Sequence, residues 1–246
     1  MKFVETKNNL PTTKPLKEIM SLNVPNVNTS LPYKNGAIYA IIGAPGSSKS
    51  NLLFSTLYRN SNYYRGKFDN LYLITPESSF LSLEKHPFKD HDKVFHELDS
   101  NTLEAIYDEV LDLKRQALEE DRPIEHSCII IDDFADGLKD SNIIMMLKKL
   151  LIKSRHLNTF FIFTLQFYNA FPLALRKLIT NITLFKPKNN VEMESIRNEL
   201  LHLNKDDFQE LTNYVFDEVY NHLDYDTGTM EIRKNFNLLN IEKLNI

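Results

Sequence analysis

Five short apolar runs, separated by segments with helical periodicity, constrain the fold of this chain more than any other feature. The runs occupy residues 37–42, 70–75, 129–131, 159–165 and 181–185. A continuous apolar run without alternation is typical of a strand that is buried on both faces. The segments between them place apolar residues on one helical face, as Leu52, Leu53 and Leu57 do. Strands that alternate with helices predict an α/β fold with a mostly parallel central sheet flanked by helices.

The two ends of the chain are expected to depart from this alternation. Residues 1–35 are polar and contain four prolines, which predicts an amino-terminal arm. Residues 36–246 are predicted to form one domain, and its segment VYNHLDYDTGTMEIRKNF predicts a carboxyl-terminal β-hairpin that turns near residues 226–228. Inside the domain, Asn101 and Glu104 have the spacing of a helix capping box.

The composition is that of an ordinary soluble protein and disfavours some classes of function. Hydrophobic residues make up 42% of the chain and charged residues 25%, and the apolar runs are too short to span a bilayer, so we expect no membrane insertion. The single Cys128 cannot form an intrachain disulfide, which indicates a reducing, intracellular compartment. The net charge of −4 argues against a globally basic nucleic-acid binder, while the basic stretch 148–156 leaves local contact with DNA open.

The sequence GAPGSSKS follows the first apolar run and is close to a phosphate-binding loop. The pattern G-x-x-x-x-G-K-[ST] has glycine before the lysine, and Ser48 takes that position here. Glycines allow backbone amides to surround a phosphate, Lys49 would reach the β- and γ-phosphates, and Ser50 would bind Mg²⁺. A glycine-containing turn with an incidental lysine is the alternative. The predicted nucleotide-binding residues are Gly43, Ala44, Pro45, Gly46, Ser47, Ser48, Lys49, Ser50 and Asn51.

Two aspartates end the third apolar run, in the sequence CIIIDDF. This arrangement matches a Walker B motif, in which Asp132 would hold Mg²⁺ and Asp133 would polarise the attacking water. A strand that runs into an Asp-rich turn would have the same sequence. Because a phosphate-loop sequence lies upstream, the Walker B interpretation is favoured.

Polar and cationic residues around the fourth run complete the predicted site. Gln166 ends that run, where a group that senses the γ-phosphate or its attacking water would lie. Arg155 and Arg176 flank it, and an arginine here would stabilise transition-state charge across a subunit boundary, although ordinary surface arginines fit equally well. Because functional groups gather at the carboxyl ends of parallel strands, the loop, the aspartates and Gln166 are expected to lie together. The predicted catalytic residues are Lys49, Asp133, Gln166, Arg155 and Arg176, and the predicted metal ligands are Ser50 and Asp132.

The order GAPGSSKS, CIIIDDF and KSRHLNTFFIFTLQFYNAFPLALRKLITNITLFKP resembles the viral genome-packaging ATPases of the FtsK–HerA superfamily. Within that superfamily it resembles the poxvirus-type packaging ATPases of large DNA viruses and the related virophage enzymes. The resemblance rests on the Arg155-His156 pair, Gln166, Pro172 and Arg176, and it covers roughly residues 36–236. It departs from the family at Ser48, where glycine is usual.

The resemblance implies a P-loop NTPase fold of the additional-strand (ASCE, RecA-like) type, with the Gln166 strand between the Walker A and Walker B strands. It implies ATP and Mg²⁺ as cofactors, double-stranded DNA as a partner, and a homo-oligomeric ring, hexameric or pentameric, at a capsid or portal-like vertex. The implied activity is ATP-driven translocation of viral DNA into the capsid. The implied location is the host cytoplasm at viral assembly sites, or the virion. Either Arg155 or Arg176 would serve as the arginine that acts on a neighbouring subunit.

Two other functions stay open at the level of sequence. Ser48 is also compatible with a P-loop fold that is retained as a DNA-binding or structural module with impaired ATP turnover. An ATPase of the helicase-loader or partition type would share the core chemistry without the packaging role.

Overall fold

The computed structural model describes residues 23–134 and 137–240, and within them a nine-stranded sheet organises the chain. The strands are β1 (Ile38–Ile42), β2 (Asn70–Ile74), β3 (Val94–Phe95), β4 (Ser127–Asp132), β5 (Thr159–Leu165), β6 (Asn181–Phe185), β7 (His222–Asp226), β8 (Glu231–Lys234) and β9 (Asn237–Leu238).

The order of strands across the sheet is β3-β2-β4-β5-β1-β6-β7-β8-β9. The strands from β3 to β6 in this order pair in parallel, and β7, β8 and β9 extend the sheet with antiparallel pairs. The strand that leads to Gln166, β5, lies between β1 and β4, so the predicted additional-strand arrangement is confirmed. The predicted hairpin is also confirmed, since Asp226 of β7 pairs with Glu231 of β8.

Helices cover both faces of the sheet. They are α1 (Lys49–Tyr58), α2 (Glu77–Leu81), α3 (Ser100–Glu119), α4 (Ser141–Lys153), α5 (Leu173–Arg176), α6 (Asn190–Ser195), which continues as a π-helical turn (Ile196–Leu201), and α7 (Lys205–Val215). Among these described helices, none is long and apolar enough to cross a membrane.

Alternate side chains of β1 point into two apolar layers, one on each face of the sheet. Ile38, Ala40 and Ile42 pack into the layer formed with α3, α4, α5 and α7. Tyr39 and Ile41 point the other way, into the layer formed with α1. Because both faces of β1 are buried, each of its positions is apolar, which explains the continuous run in the sequence.

Residues 23–35 pack against the α1 face of the sheet. Val24, Val27 and Leu31 are buried in that layer, and the Tyr64 hydroxyl donates to the Pro32 carbonyl oxygen at 2.7 Å. This part of the predicted arm is therefore continuous with the core. Residues 1–22 lie outside the described residues, and the arm as a separate unit stays a prediction.

The structure contains elements that the sequence patterns did not predict. The segment from 76 to 99, whose mixed sequence is typical of a loop, contains α2 and β3, and two further helices, α6 and α7, follow β6. The capping box predicted for Asn101 and Glu104 is wrong, because α3 begins earlier. Its N-cap is Asp99, whose carboxylate accepts from the Thr102 amide at 2.7 Å.

We expect Asp99→Ala to lower the free energy of unfolding by about 1 kcal/mol, because the amides of the first turn of α3 lose their acceptor. The exposed Asn101 makes no such contact, so Asn101→Ala is the matched control and should leave stability within about 0.5 kcal/mol of wild type. Urea titration of the three proteins measures both values. A larger loss in Asn101→Ala than in Asp99→Ala would contradict the observed cap.

Candidate active site

The loop between β1 and α1 places backbone atoms where only glycine fits. A Cβ at Gly43 would lie 2.5 Å from Ser47 Oγ and 2.7 Å from Phe185 Cβ, too close for any side chain. Gly46 has φ +80°, in the left-handed region that favours glycine. The Ser47 Oγ is buried and has no hydrogen-bond partner among the described residues. A tight, glycine-dependent loop with an unpaired polar atom is consistent with a cradle for a polar ligand.

Ser48 adopts the conformation for which the motif usually has glycine. Its backbone has φ +77° and ψ +20°, which is left-handed, and its side chain does not cap α1. For a residue with a Cβ, this conformation costs roughly 1–2 kcal/mol. The loop therefore keeps a glycine-like path around the predicted phosphate site in spite of the serine, and the departure from the motif appears as local strain.

The Lys49 side chain folds back on the loop that precedes it. Its Nζ donates to the carbonyl oxygens of Gly43 at 2.6 Å and Ala44 at 3.3 Å. Burial lowers the pKa of Lys49, while the charges of Asp133 and Asp132 act in the opposite direction. The ammonium group thus sits between the loop and the acidic end of β4, in position to meet an anion held by the loop.

The two aspartates at the end of β4 have different surroundings. Asp132 is buried, and its carboxylate accepts from the hydroxyls of Thr164 and Thr75. Burial raises the pKa of Asp132, and the Thr164 hydrogen bond opposes that shift. Asp133 has φ +59° and is less buried, and its amide donates to Thr164 Oγ1 at 3.1 Å. Thr164 therefore orients both aspartates.

Gln166 and Ser79 hold the Asp133 carboxylate from two sides. Gln166 Nε2 donates to Asp133 Oδ1 at 3.0 Å, and Ser79 Oγ donates to Asp133 Oδ2 at 3.3 Å. These two hydrogen bonds orient the Asp133 carboxylate, which is also partly exposed to solvent. Both properties suit a group that accepts a proton from a water molecule.

One cleft of about 220 Å³ is lined by seven of the predicted residues: Pro45, Gly46, Lys49, Ser50, Asp132, Asp133 and Gln166. The described residues contain no cluster of three or more His, Cys, Asp or Glu side chains that could hold a metal ion. Mg²⁺ usually takes one or two protein oxygens together with water and phosphate oxygens. The Ser50 hydroxyl and the Asp132 carboxylate fit that requirement.

The structure also shows site residues that the sequence analysis missed. Thr75 follows β2 directly, Thr164 is the penultimate residue of β5, and Ser79 lies on α2. Thr75 and Thr164 could have been found from position alone, because each lies at the carboxyl end of a parallel strand. Ser79 had no such signal, since it depends on a helix of five residues in a segment without clear periodicity.

The two predicted arginines do not line this cleft. Arg176 forms an ion pair with Glu199 at 2.8 Å, donates to Asn169 Oδ1 at 3.0 Å, and lies over the ring of Tyr168. Arg155 is exposed and precedes β5, whereas Gln166 follows β5. The two residues are therefore separated by the length of that strand, about 23 Å at 3.3 Å per residue. An effect of Arg155 on a nucleotide would therefore act on another subunit.

The family model described as "Poxvirus A32 protein" matches residues 30–219. A comparison with curated proteins gives no match.

Several solved structures share the fold. The DNA-packaging ATPase B204 from Sulfolobus Turreted Icosahedral Virus is 15% identical over 85% of this chain and 99% of its own, with a TM-score of 0.56. The packaging NTPase B204 from Sulfolobus turreted icosahedral virus 2, in complex with ATP-gammaS, is 15% identical over 81% of this chain and 96% of its own, with a TM-score of 0.51. The cytoplasmic domain of the Type VII secretion ATPase EccC from Thermomonospora curvata is 13% identical over 86% of this chain and 27% of its own, with a TM-score of 0.57. The predicted P-loop ATPase fold is confirmed.

We expect Ser48→Gly to raise the free energy of unfolding by about 1 kcal/mol, because glycine adopts a positive φ without a Cβ clash. The melting temperature should rise by roughly 2–4 °C for a chain of this size. Ser61→Gly is the control: Ser61 is exposed and its φ is not positive, so the extra freedom of glycine in the unfolded chain should lower stability. Thermal unfolding that shifts in the same direction for both variants would argue against strain at Ser48.

Proposed function

The chain belongs to the poxvirus A32 protein family, and we propose that it is an ATPase that drives viral double-stranded DNA into a capsid. The observation that carries the proposal is the convergence of Lys49, Ser50, Asp132, Asp133 and Gln166 on one cleft beside a glycine-dependent loop. The fold shared with the DNA-packaging ATPase B204 supports the same activity.

Lys49 and the loop amides would bind the β- and γ-phosphates of ATP. The Lys49 ammonium donates to two neutral carbonyl oxygens, and phosphate oxygens in their place would be charged acceptors, which form stronger hydrogen bonds. Ser50 and Asp132 would hold Mg²⁺, which would neutralise negative charge on the phosphate oxygens.

Asp133 is proposed as the residue that takes a proton from the attacking water. As the water oxygen bonds to the γ-phosphorus, the bond from that phosphorus to the ADP oxygen breaks, and the water proton passes to the Asp133 carboxylate. Gln166 and Ser79 fix that carboxylate, and the Gln166 amide is near enough to orient the water as well. Asp132 is less suited to this step, because it is more buried than Asp133, accepts from two threonine hydroxyls and is the proposed Mg²⁺ ligand.

We also propose that the protein works as a homo-oligomeric ring of five or six subunits, with Arg155 or Arg176 acting on the nucleotide of a neighbour. Exposure at the surface favours Arg155. The Arg176 side chain is only 13% exposed where it pairs with Glu199, and it lies over the ring of Tyr168.

The proposed partners are double-stranded DNA and a capsid or portal-like vertex, and the proposed location is a viral assembly site in the host cytoplasm, or the virion. The basic stretch 148–156 is the proposed DNA-contacting surface. It includes the exposed Lys148 and Lys149, with Lys149 and Lys153 lying over the ring of Tyr107 at 5.0 and 5.2 Å.

We expect wild-type protein to hydrolyse ATP in the presence of Mg²⁺, and Lys49→Ala to reduce turnover to background by removing the charge that binds the phosphates. Asp133→Asn should still bind ATP but turn over at least about 100-fold more slowly, because its amide cannot accept the proton. Lys205→Ala, at an exposed position of α7, is the charge-matched control and should behave as wild type.

Steady-state phosphate release and nucleotide binding by calorimetry separate the possible functions. Equal rates for wild type and Lys49→Ala would rule out the ATPase, and binding without hydrolysis in wild type would favour the structural module suggested by Ser48. DNA-stimulated hydrolysis together with ATP-dependent protection of DNA inside capsids distinguishes packaging from a loader or partition role.

We expect Arg155→Ala to lower ATP turnover by about 10³-fold with little change in ATP affinity, because an arginine acting in trans stabilises the transition state. Arg115→Ala, which removes an exposed arginine on α3, is the control. In rings mixed from Arg155→Ala and Asp133→Asn subunits, some sites combine an intact carboxylate with an intact neighbouring arginine, so part of the activity should return. Mixtures that stay as inactive as the separate variants would assign Arg155 no role in trans.

A further inference from the structure

A second cleft lies on the other side of the phosphate loop and is not used by the chemistry described above. Its volume is about 420 Å³. One wall is the loop itself, from residues 44 to 47, and the other is formed by the end of β6 and by residues 216–221, which lead into β7.

The order of strands fixes what this cleft faces. The aspartates lie at the end of β4, on one side of β1, whereas β6 and β7 lie on the other side. The loop that follows β1 therefore separates the cleft that contains Asp132 and Asp133, called the acidic cleft below, from the second cleft. If the terminal phosphate of a nucleotide points toward Asp132 and Asp133, its sugar and base extend toward β6 and β7. This step rests on the proposed function.

The second cleft has the side chains that a flat, apolar ring would contact. Phe185 and Phe216 line it and are almost fully buried. Val219 and Tyr220 also line it, and both are exposed, at 79% and 60%. These two adjacent apolar side chains lie beside the loop, where a bound ring would cover them. Tyr220 also has φ +71°, a conformation that is rare for a bulky residue and that often marks a ligand-contacting position.

The exposed segment is held in place and does not hang freely. Asn221 Nδ2 donates to Asp217 Oδ1 at 2.7 Å, and Asn235 Nδ2 donates to Asn221 Oδ1 at 2.6 Å. Lys234 of β8 reaches Asp217 at 2.7 Å. Contacts at both ends thus fix the backbone that carries Val219 and Tyr220, so an aromatic ring stacking there would meet a prepared surface.

We propose that this second cleft binds the nucleobase of the nucleoside triphosphate, with Tyr220 as the stacking residue and Val219 beside it. The two parts of the ligand then lie on opposite sides of the phosphate loop. The triphosphate lies on the side of the aspartates, and the base lies on the side of Tyr220.

Tyr220→Ala in the full-length protein is expected to weaken ATP binding by about tenfold, the order of affinity that one base gains on an aromatic ring. Its affinity for inorganic triphosphate, which has no base, should equal that of wild type and shows that the variant is folded. Tyr220→Phe should keep wild-type affinity for both ligands. Tyr214→Ala is the matched control, because Tyr214 is 59% exposed on α7 and does not line the cleft.

Calorimetric titration of each variant with ATP and with inorganic triphosphate decides the matter. A loss confined to ATP and to Tyr220→Ala supports the base site. If wild type binds both ligands and Tyr220→Ala binds ATP as tightly, or loses both ligands equally, the base site is overturned and the ATPase proposal stands. If wild type binds neither ligand, both proposals fail.

Discussion

The pairing of β5 with β1 on one side and β4 on the other sets the level of the functional groups at the acidic cleft. Ile42 is in register with Leu165, and Asp132 is in register with Thr164, so the three strands end at the same height. Asp132 belongs to one of these pairs, and Gly43, Asp133 and Gln166 each lie one residue beyond them. A shift of one residue in β5 would turn Thr164 to the opposite face and remove the hydroxyl that orients both aspartates. The relative positions of the proposed catalytic groups are thus a consequence of strand register.

The sequence was sufficient to predict those features for which the residue type alone indicates the local environment. Continuous apolar runs predicted the buried strands, and Gly43 marked a close backbone approach that the structure places at Ser47 and Phe185. The sequence was insufficient where tertiary contacts determine whether a strand forms or where a helix begins. The two residues of β3 carry no strand pattern and are held by pairing with β2, and Asp99 displaced the predicted cap because it reaches the Thr102 amide. The proposed roles of Arg155 and Arg176 depend on how one subunit packs against another, which the sequence of one chain does not specify.

Left-handed backbone at residues other than glycine recurs around the proposed nucleotide site. The chain has six glycines in 246 residues, and Ser48, Asp133 and Tyr220 take conformations that glycine would adopt without a Cβ clash. Two of the three have a separate reason to carry a side chain or to tolerate the strain. Asp133 supplies a carboxylate, aspartate is among the residues that accept this region most readily, and Tyr220 presents a ring. Ser48 has neither justification among its contacts, which makes it the position where strain is most easily removed.

The antiparallel extension of the sheet gives the two clefts different kinds of support. The acidic cleft is built on parallel strands that are buried on both faces, so its groups are fixed by the core itself. The second cleft depends on the hairpin, because Lys234 and Asn235 hold the segment that carries Tyr220. These contacts are polar and partly exposed, and such contacts stabilise less than core packing does. Changes in the hairpin should therefore alter the affinity for a nucleotide and leave the geometry at Asp133 unchanged. Nucleotide affinity and the rate of turnover thus depend on different parts of the same sheet.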